Sequence, residues 1–496
     1  MAAKNKTQSM SRTRFLKEYH LEVEKAFVQD GTEAAWAPGI TGPRFWGQED
    51  KCLELAHDDP NRSNVASAAI ASSPDDSFLA VATNAVIRIY DMETKQHCSE
   101  LVGHSSNVWK LYYVAVPTSA ESDTSQVNQA KYILLSEGSP VGGSDGQIVL
   151  WDLDSNGRCI TSRTMPFAVE ALTDRAMGAI AEDLTAHHEL TADDLDTIRT
   201  GFADVLKKAD AHNRVQHLPH LDGHFPSFDS TVTSHDGKRI LYIIHGGSTQ
   251  SGMRPPEELP QIVVFDLVSR SEQFRLKGHE DAIMWASWSP DDKTIAIADW
   301  DQTYTLWDAQ TGVAKHIIGP TNGQNWAGTF SPDNNHVILS GGSPTKVAVY
   351  NVQTGEQVTH LDTGGKTGWC RTISWSPQTD VIALSFDHTR SALLWRPCSK
   401  KPEEAEEILK LKSDGSMLDN FCTLPLVKWV DDGKKMVVKT NEGSILVWEP
   451  ERHLQWRFQR PTGMGLKTSS SGVLFRSETQ TLMSLDGDGK VREWKL

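Results

Sequence analysis

Residues 276–312 read LKGHEDAIMWASWSPDDKTIAIADWDQTYTLWDAQTG. IMWASW alternates as a half-buried strand does, and SPDD after it is a turn: Pro290 presets one backbone angle and Asp291 can bond the backbone ahead of it. TIAIAD is a second strand, Trp300-Asp301-Gln302 a tight turn, and TYTLWD a third strand. AQTG turns again, and VAKHII supplies a fourth strand. About forty residues thus predict one four-stranded antiparallel sheet, which cannot bury both of its faces alone and must stack on copies of itself.

The copies are present. The position of Trp307 recurs as Tyr90, Trp151, Phe265, Tyr350, Trp395, Trp448 and Trp494, with successive spacings of 61, 114, 42, 43, 45, 53 and 46 residues. The first turn recurs as SPDD at 73–76, SHDG at 234–237, SPDN at 331–334, SPQT at 376–379 and DDG at 431–433. Gly-His recurs at 103–104, 223–224 and 278–279, with Ala56-His57 as a weaker version. Over roughly residues 50–496 the chain resembles the WD-repeat family of β-propellers. The resemblance implies an all-β fold of eight blades; seven would leave one weak end unit outside the ring.

The family pattern also implies a buried hydrogen-bond chain of His, strand Ser or Thr, turn Asp and strand Trp, each bond worth about 0.5–1.5 kcal/mol net. Its counterparts are His104, Ser136, Asp145 and Trp151 in unit 2, then His279, Asp301 and Trp307 in unit 4. Unit 8 keeps Ser484, Asp488 and Trp494. Recurrence at one structural position marks these residues as scaffold rather than catalysts. The chain ends in VREWKL, a third strand, and KCLELAH at 51–57 resembles the outer strand that precedes a Gly-His loop. That strand is expected to complete the last blade and close the ring within a propeller domain of residues 50–496.

Residues 1–49 form an N-terminal arm. Its stretch SRTRFLKEYHLEVEKAFVQ places Phe15, Leu16, Tyr19, Val23 and Phe27 on one face of a predicted amphipathic helix. A helical insert spans about 160–216; in it Leu195, Ile198, Phe202, Val205 and Leu206 make one apolar stripe. The insert reads either as a hairpin packed on the propeller or as a docking arm. Polar or Pro/Gly-rich loops interrupt blade 2 at 115–130 and blade 3 at 246–260.

Composition narrows the chemistry. The formal net charge is -16, against a broad nucleic-acid or anionic-membrane surface, both of which need a basic field. The six cysteines are scattered without a CxxC pair, as reduced thiols of an intracellular protein would be, in cytoplasm or nucleus. No apolar run reaches membrane-span length. His217, His220 and His224 lack accompanying Cys or acidic ligands, and DGDGKVRE around Asp486, Asp488 and Glu493 misses calcium-loop spacing, so neither metal nor cofactor is expected. Phosphate-loop, GxSxG and HExxH signatures are absent.

The expected role is a non-catalytic protein-interaction scaffold: a monomeric ring within a complex of other proteins. The alternatives are a peptide or modified-tail reader and a hydrolase or lyase using the central channel. In the family, the start of each innermost strand and the residue before the turn Asp point to the mouth of the ring. Those positions carry Trp109, Met284, Trp326 and Arg371, and Trp300, with Phe386 nearby. They are expected to form a partly exposed partner-binding patch, with an acidic or aromatic peptide segment bound through a carboxylate on Arg371. For Trp109, packing between blades is an equal reading.

Overall fold

The computed structural model describes residues 22–55, 68–116, 130–138, 146–161, 173, 196–206, 218–246, 256–364, 368–387, 389–412, 423–461, 472–486 and 488–496. Short antiparallel sheets follow one another along the chain, and the fold is an eight-bladed β-propeller. Packing contacts divide it into two compact units: residues 66–222, and residues 1–65 with 223–496.

The first unit holds blades 1 and 2. Blade 1 runs Ala68–Ser72, Phe78–Thr83, Val86–Asp91 and His97–Val102; blade 2 runs Val108–Ala115, Tyr132–Gly138, Gln147–Leu153 and His220–Asp222. The two share a core of alanines, β-branched residues and Trp151. The chain between the last two strands of blade 2 includes a helix over 196–206, where Ile198, Phe202 and Leu206 are half-buried and Val205 is exposed. The rest of the predicted stripe, and most of the partner helix, lie outside the described residues.

The second unit holds blades 3 to 8. Blade 4 repeats the quoted sequence as Ile283–Trp288, Thr294–Asp299, Tyr304–Asp308 and Ala314–Ile318. Blade 5 (Asn325–Phe330, His336–Gly341, Lys346–Asn351, Gln357–Leu361) follows the same plan. Blade 6 is Cys370–Trp375, Ile382–Phe386, Ser391–Trp395 and Ala405–Leu411; blade 7 is Leu426–Val430, Lys435–Lys439, Ile445–Glu449 and Leu454–Gln459. Blade 8 combines Val473–Arg476, Thr481–Asp486 and Lys490–Lys495 with Lys51–Glu54, which pairs antiparallel with the last strand.

Blade 3 differs. Only Arg239–Ile244, Gln261–Asp266 and Ser271–Leu276 form its continuous sheet. The segment where an innermost strand would run touches it through bridges at His224↔Ile243 and Thr233↔Ile240. Between them, Ser227 N donates to Met284 O and Thr231 O accepts from Trp288 N, so the chain leans onto blade 4 instead. Pro226 contributes to the break, because it has no N–H for a ladder.

The N-terminal arm corrects the helical expectation where it is described. Val23–Lys25 is a strand paired with the outer strand of blade 6, while Ala35–Trp36 and Arg44–Phe45 pair in parallel with that of blade 7. Phe27 turns the chain at a φ of 33° and stacks on Trp448, ring centroids 5.6 Å apart. Val23 and Phe27 therefore do not share a helical face: open sheet edges offered backbone pairing that outweighed the 3.6-residue pattern. Phe15, Leu16 and Tyr19 lie outside the described residues.

Candidate functional site

Four of the residues at inner-strand starts share a backbone cause. Trp109, Met284, Trp326 and Arg371 are each skipped by the pairing register, which shifts across them. Each is the extra residue of a β-bulge, a device that leaves one residue unpaired and re-aims its side chain.

In the second unit these bulges feed one cluster. Trp300 packs edge-on to Trp326 at 5.3 Å between centroids, and Trp326 lies 4.7 Å from Trp369. The Arg371 guanidinium carbon sits 4.6 Å from the Trp326 ring centre, 4.8 Å from that of Trp369 and 5.3 Å from that of Phe228. Its Nε lies 3.1 Å from Asp387 Oδ2. Phe228 comes from the segment leaning out of blade 3; Asp229, next to it, accepts from Lys428 Nζ at 3.0 Å, bringing blade 7 into the same place. Asp229 raises the Lys428 pKa, more than burial lowers it.

A cavity of about 460 Å³ opens beside this cluster, lined by Phe228, Asp229, Arg371, Asp387, Thr423 and Asn441 among others. Among the described residues Arg371 Nε is buried and ion-paired with Asp387 without a hydrogen bond, and neither Nη has a partner. The face of the guanidinium is thus stacked and one edge is ion-paired, while the other edge is left for a ligand in the cavity. Stacking of this kind is worth about 0.5–2 kcal/mol, and it fixes the plane of a group whose use is bidentate recognition of carboxylates.

Trp300, Trp326 and Arg371 are thus brought together, while Met284 reaches the neighbouring Phe228 segment through its backbone carbonyl, which accepts from Ser227 N. Trp326 is only 4% exposed, so it is the wall of the site rather than its surface. Phe386 is 2% exposed and belongs to the core of blades 5 and 6, which corrects its assignment to the patch. The register supplies the reason: Cys370 pairs with Phe386 as Ile283 pairs with Asp299, so Asp387, not Phe386, occupies the position of Trp300. A shift of one residue along a strand turns a side chain to the opposite face. Trp109 is exposed, with Lys110 Nζ 5.0 Å from its ring centre, and belongs to the other unit. Sequence reading missed Trp369, Phe228 and Asp387. Trp369 directly precedes the inner strand and Asp387 follows Phe386 in the turn, so counting register from blade 4 would have found both; Phe228 left no repeat signal.

Among the described residues, blade 2 shows the His, Ser and Trp part of the family pattern. His104 Nε2 lies 2.7 Å from Ser136 Oγ, which also accepts from Trp151 Nε1 at 2.8 Å; Asp145 lies outside the described residues. In blade 4 the apolar Ile297 occupies the strand Ser position, and the chain is rewired. His279 Nδ1 bonds Asp299 Oδ2 at 2.7 Å, Asp301 instead accepts from Glu280 N and Thr303, and Trp307 Nε1 donates to Thr305 Oγ1 at 2.8 Å. His279, Asp299 and Asp301 stand close enough to suggest a metal triad. Both Asp301 oxygens, Asp299 Oδ2 and His279 Nδ1 are taken up by these bonds, His279 Nε2 is buried without a hydrogen bond among the described residues, and burial lowers the His279 pKa to about 4. Burial, then the neighbouring Asp301, pushes Asp299 up to about 10, so a neutral acid bridges His279 and Asp301. Of the other histidines weighed for metal, His220 and His224 each face a backbone carbonyl, and His217 lies outside the described residues.

Blade 8 departs further. Ser484 Oγ donates to Asp486, Asp488 pairs with Arg492, and Trp494 Nε1 has no hydrogen bond among the described residues, so the expected Ser484–Asp488–Trp494 chain is not seen. Arg492 takes its place, 2.7 Å from Asp486 and 2.6 Å from Asp488, with its guanidinium carbon 4.1 Å from the Trp46 ring centre.

The WD domain, G-beta repeat family matches residues 270–308, which span the outer strand of blade 3 and the first three strands of blade 4. The β-propeller thus carries a WD repeat across blades 3 and 4. The propeller is 24% identical over 192 residues to the Ribosome biogenesis protein WDR12 homolog of Drosophila persimilis, covering 37% of this chain and 44% of that protein. To the homolog of that name in Nematostella vectensis it is 28% identical over 125 residues, 24% of this chain and 29% of that one. To Elongator complex protein 2 of Mus musculus it is 21% identical over 417 residues, 80% of this chain and 44% of that one. The propeller thus spans less than half the length of these relatives. Among solved structures, the computationally designed Ika8 protein matches with a TM-score of 0.52 and 14% identity, over 87% of this chain and 97% of that one, a likeness of fold alone. Among the described residues no helix is long and apolar enough to cross a membrane.

Proposed function

We propose that this propeller is a non-catalytic, intracellular protein-interaction scaffold, and that the Arg371 site docks a partner segment through an acidic side chain. The observation that carries this reading is the half-used guanidinium. Arg371 is stacked on Trp326, Trp369 and Phe228 and paired on one edge with Asp387, with the other edge open to the cavity. A held charge between rigid aromatic rings is the composition of a binding hot spot. Similarity to proteins named for ribosome biogenesis and for the Elongator complex supports a role in an assembly. A reader of methylated ammonium tails needs an empty aromatic box, and here Arg371 fills it.

The test is affinity capture from cells with the parent chain and Arg371→Gln, read by quantitative mass spectrometry alongside thermal melting. Loss of a defined set of partners at an unchanged melting temperature supports the docking site. Retention of every partner sinks it, and turnover of a small substrate without partners would overturn the scaffold reading itself.

A further inference from the structure

The outer strands of the second unit are not treated alike. The chain's own N-terminal arm lies along the outer strands of blades 6 and 7, and Lys51–Glu54 is itself the outer strand of blade 8. The outer strand of blade 4, Ala314–Ile318, is an edge with no strand beyond it among the described residues. Next to that edge, between blades 4 and 5, is a cleft of about 450 Å³.

The cleft has a specific chemistry. Lys346 is the one charged residue in its lining, which contains no carboxylate. Lys346 is exposed and makes no ion pair or side-chain hydrogen bond with any described residue, in a chain with 65 acidic and 49 basic residues. The hydroxyls of Tyr304 and Tyr350 also have no described partner, and Tyr304 is 2% exposed. Their rings, 6.0 Å apart, form the inner wall. Gly341 keeps room at the floor: a Cβ there would come within 2.6 Å of the Tyr304 hydroxyl. A lysine and two tyrosines thus line a space with no anion of its own, beside a strand edge with no neighbouring strand among the described residues.

We propose that this cleft binds an extended acidic segment of a partner protein, which adds a strand to Ala314–Ile318 and sets a Glu or Asp carboxylate beside Lys346 and the two tyrosine hydroxyls. Strand addition is the mode the chain already uses on blades 6 and 7, with main-chain bonds giving affinity and alternate side chains giving specificity. The alternation of the edge defines the sequence it takes. His316 and Ile318 face blade 5, through the bond of His316 to Gln353 O and the packing of Ile318 in the core shared with that blade. Ile317, 71% exposed, points to the other side. The added segment therefore alternates an acidic residue over the cleft with an apolar residue beside Ile317. This site stands apart from the Arg371 site and does not depend on it.

The probe is a fluorescein-labelled peptide, acetyl-Ser-Val-Glu-Val-Glu-Val-Ser-amide, titrated into the full chain with anisotropy as the readout. Saturable binding is expected, weakened about tenfold or more when the peptide carries Gln for Glu or the protein carries Lys346→Gln, the scale of one lost charge-assisted hydrogen bond. Tyr350→Phe should weaken it less, and the dependence on Lys346 should persist in an Arg371→Gln background. Hydrogen exchange should slow at 314–318 when the peptide is present. Absence of binding, indifference to the Gln peptide or to Lys346→Gln, or protection at 369–372 instead would overturn the proposal. Much tighter binding of a peptide with phosphoserine for Glu would move the assignment from carboxylate to phosphate. Protection of 314–318 that grows with protein concentration alone would assign the edge to a second copy of the chain.

Discussion

Two arginines of this propeller are built from the same parts and serve opposite ends. Arg371 and Arg492 each lie over tryptophan rings and each pair with aspartate. The Arg492 side chain is 4% exposed and holds two carboxylates, Asp486 and Asp488, with Glu49 at 3.7 Å and Trp46 as a lid. The Arg371 side chain is 32% exposed and holds one carboxylate. A buried charge without carboxylate partners destabilises the fold, and both Nη atoms of Arg492 bond buried or part-buried aspartates, so Arg492 is committed to structure. Arg371 is oriented by its stack without being saturated, which leaves part of its bonding capacity for a partner. Stacking and pairing alone therefore do not distinguish scaffold from site, and neither does Nε, which is buried without a hydrogen bond in both; the exposed Nη edge of Arg371 does.

The sharpest way to break this contrast is Arg492→Met. It leaves Asp486 and Asp488 buried beside each other without a cation, and we expect a loss of about 3–5 kcal/mol or outright failure to fold, read by denaturant midpoint. A variant as stable as the parent would show that Arg492 is not committed to structure. Removing the lid by Trp46→Ala should cost about 2 kcal/mol, through lost packing and cation–π contact, on the same readout.

Blade 4 extends the comparison to a buried acid that needs no cation. Asp299, raised to about 10, holds its proton more tightly folded than unfolded, so its contribution to stability falls as pH rises from the ordinary carboxylate range towards 10. Asp299→Asn preserves an acceptor for His279 and a donor for Asp301 without that proton. The unfolding free energy of the variant should fall less steeply between pH 5 and 9, by up to about 1.4 kcal/mol per pH unit. An unchanged slope would mean that Asp299 is ionised and the bridge is wrongly described. The smallest effect belongs to Arg371→Gln, expected to shift stability by about 1 kcal/mol or less, because a part-exposed pair and one stack are all it removes.

The blade repeat was legible because it is a local pattern: strand alternation, Ser-Pro-Asp turns and a recurring Trp are set within about forty residues. What the sequence hid was register. Bulges at Met284, Trp326 and Arg371 decide where those side chains point, and one residue of offset put Phe386 in the core and Asp387 in the site. The approach of Phe228 and Asp229 to blades 5 to 7 depends on contacts up to 199 residues away, beyond any window of sequence. Blade 8 misled for a chemical reason: Ser484, Asp488 and Trp494 fit the family pattern, but Arg492 beside them captured the carboxylates.

The contrast between the arginines can be measured directly by brief reaction of the folded chain with phenylglyoxal, followed by peptide mass spectrometry, since the reagent needs both Nη atoms of a guanidinium within reach. The account predicts rapid modification of Arg371 and protection of Arg492 until the protein unfolds. Protection of Arg371 to the same degree as Arg492 would contradict it, because a guanidinium with no open edge has nothing left to offer a partner.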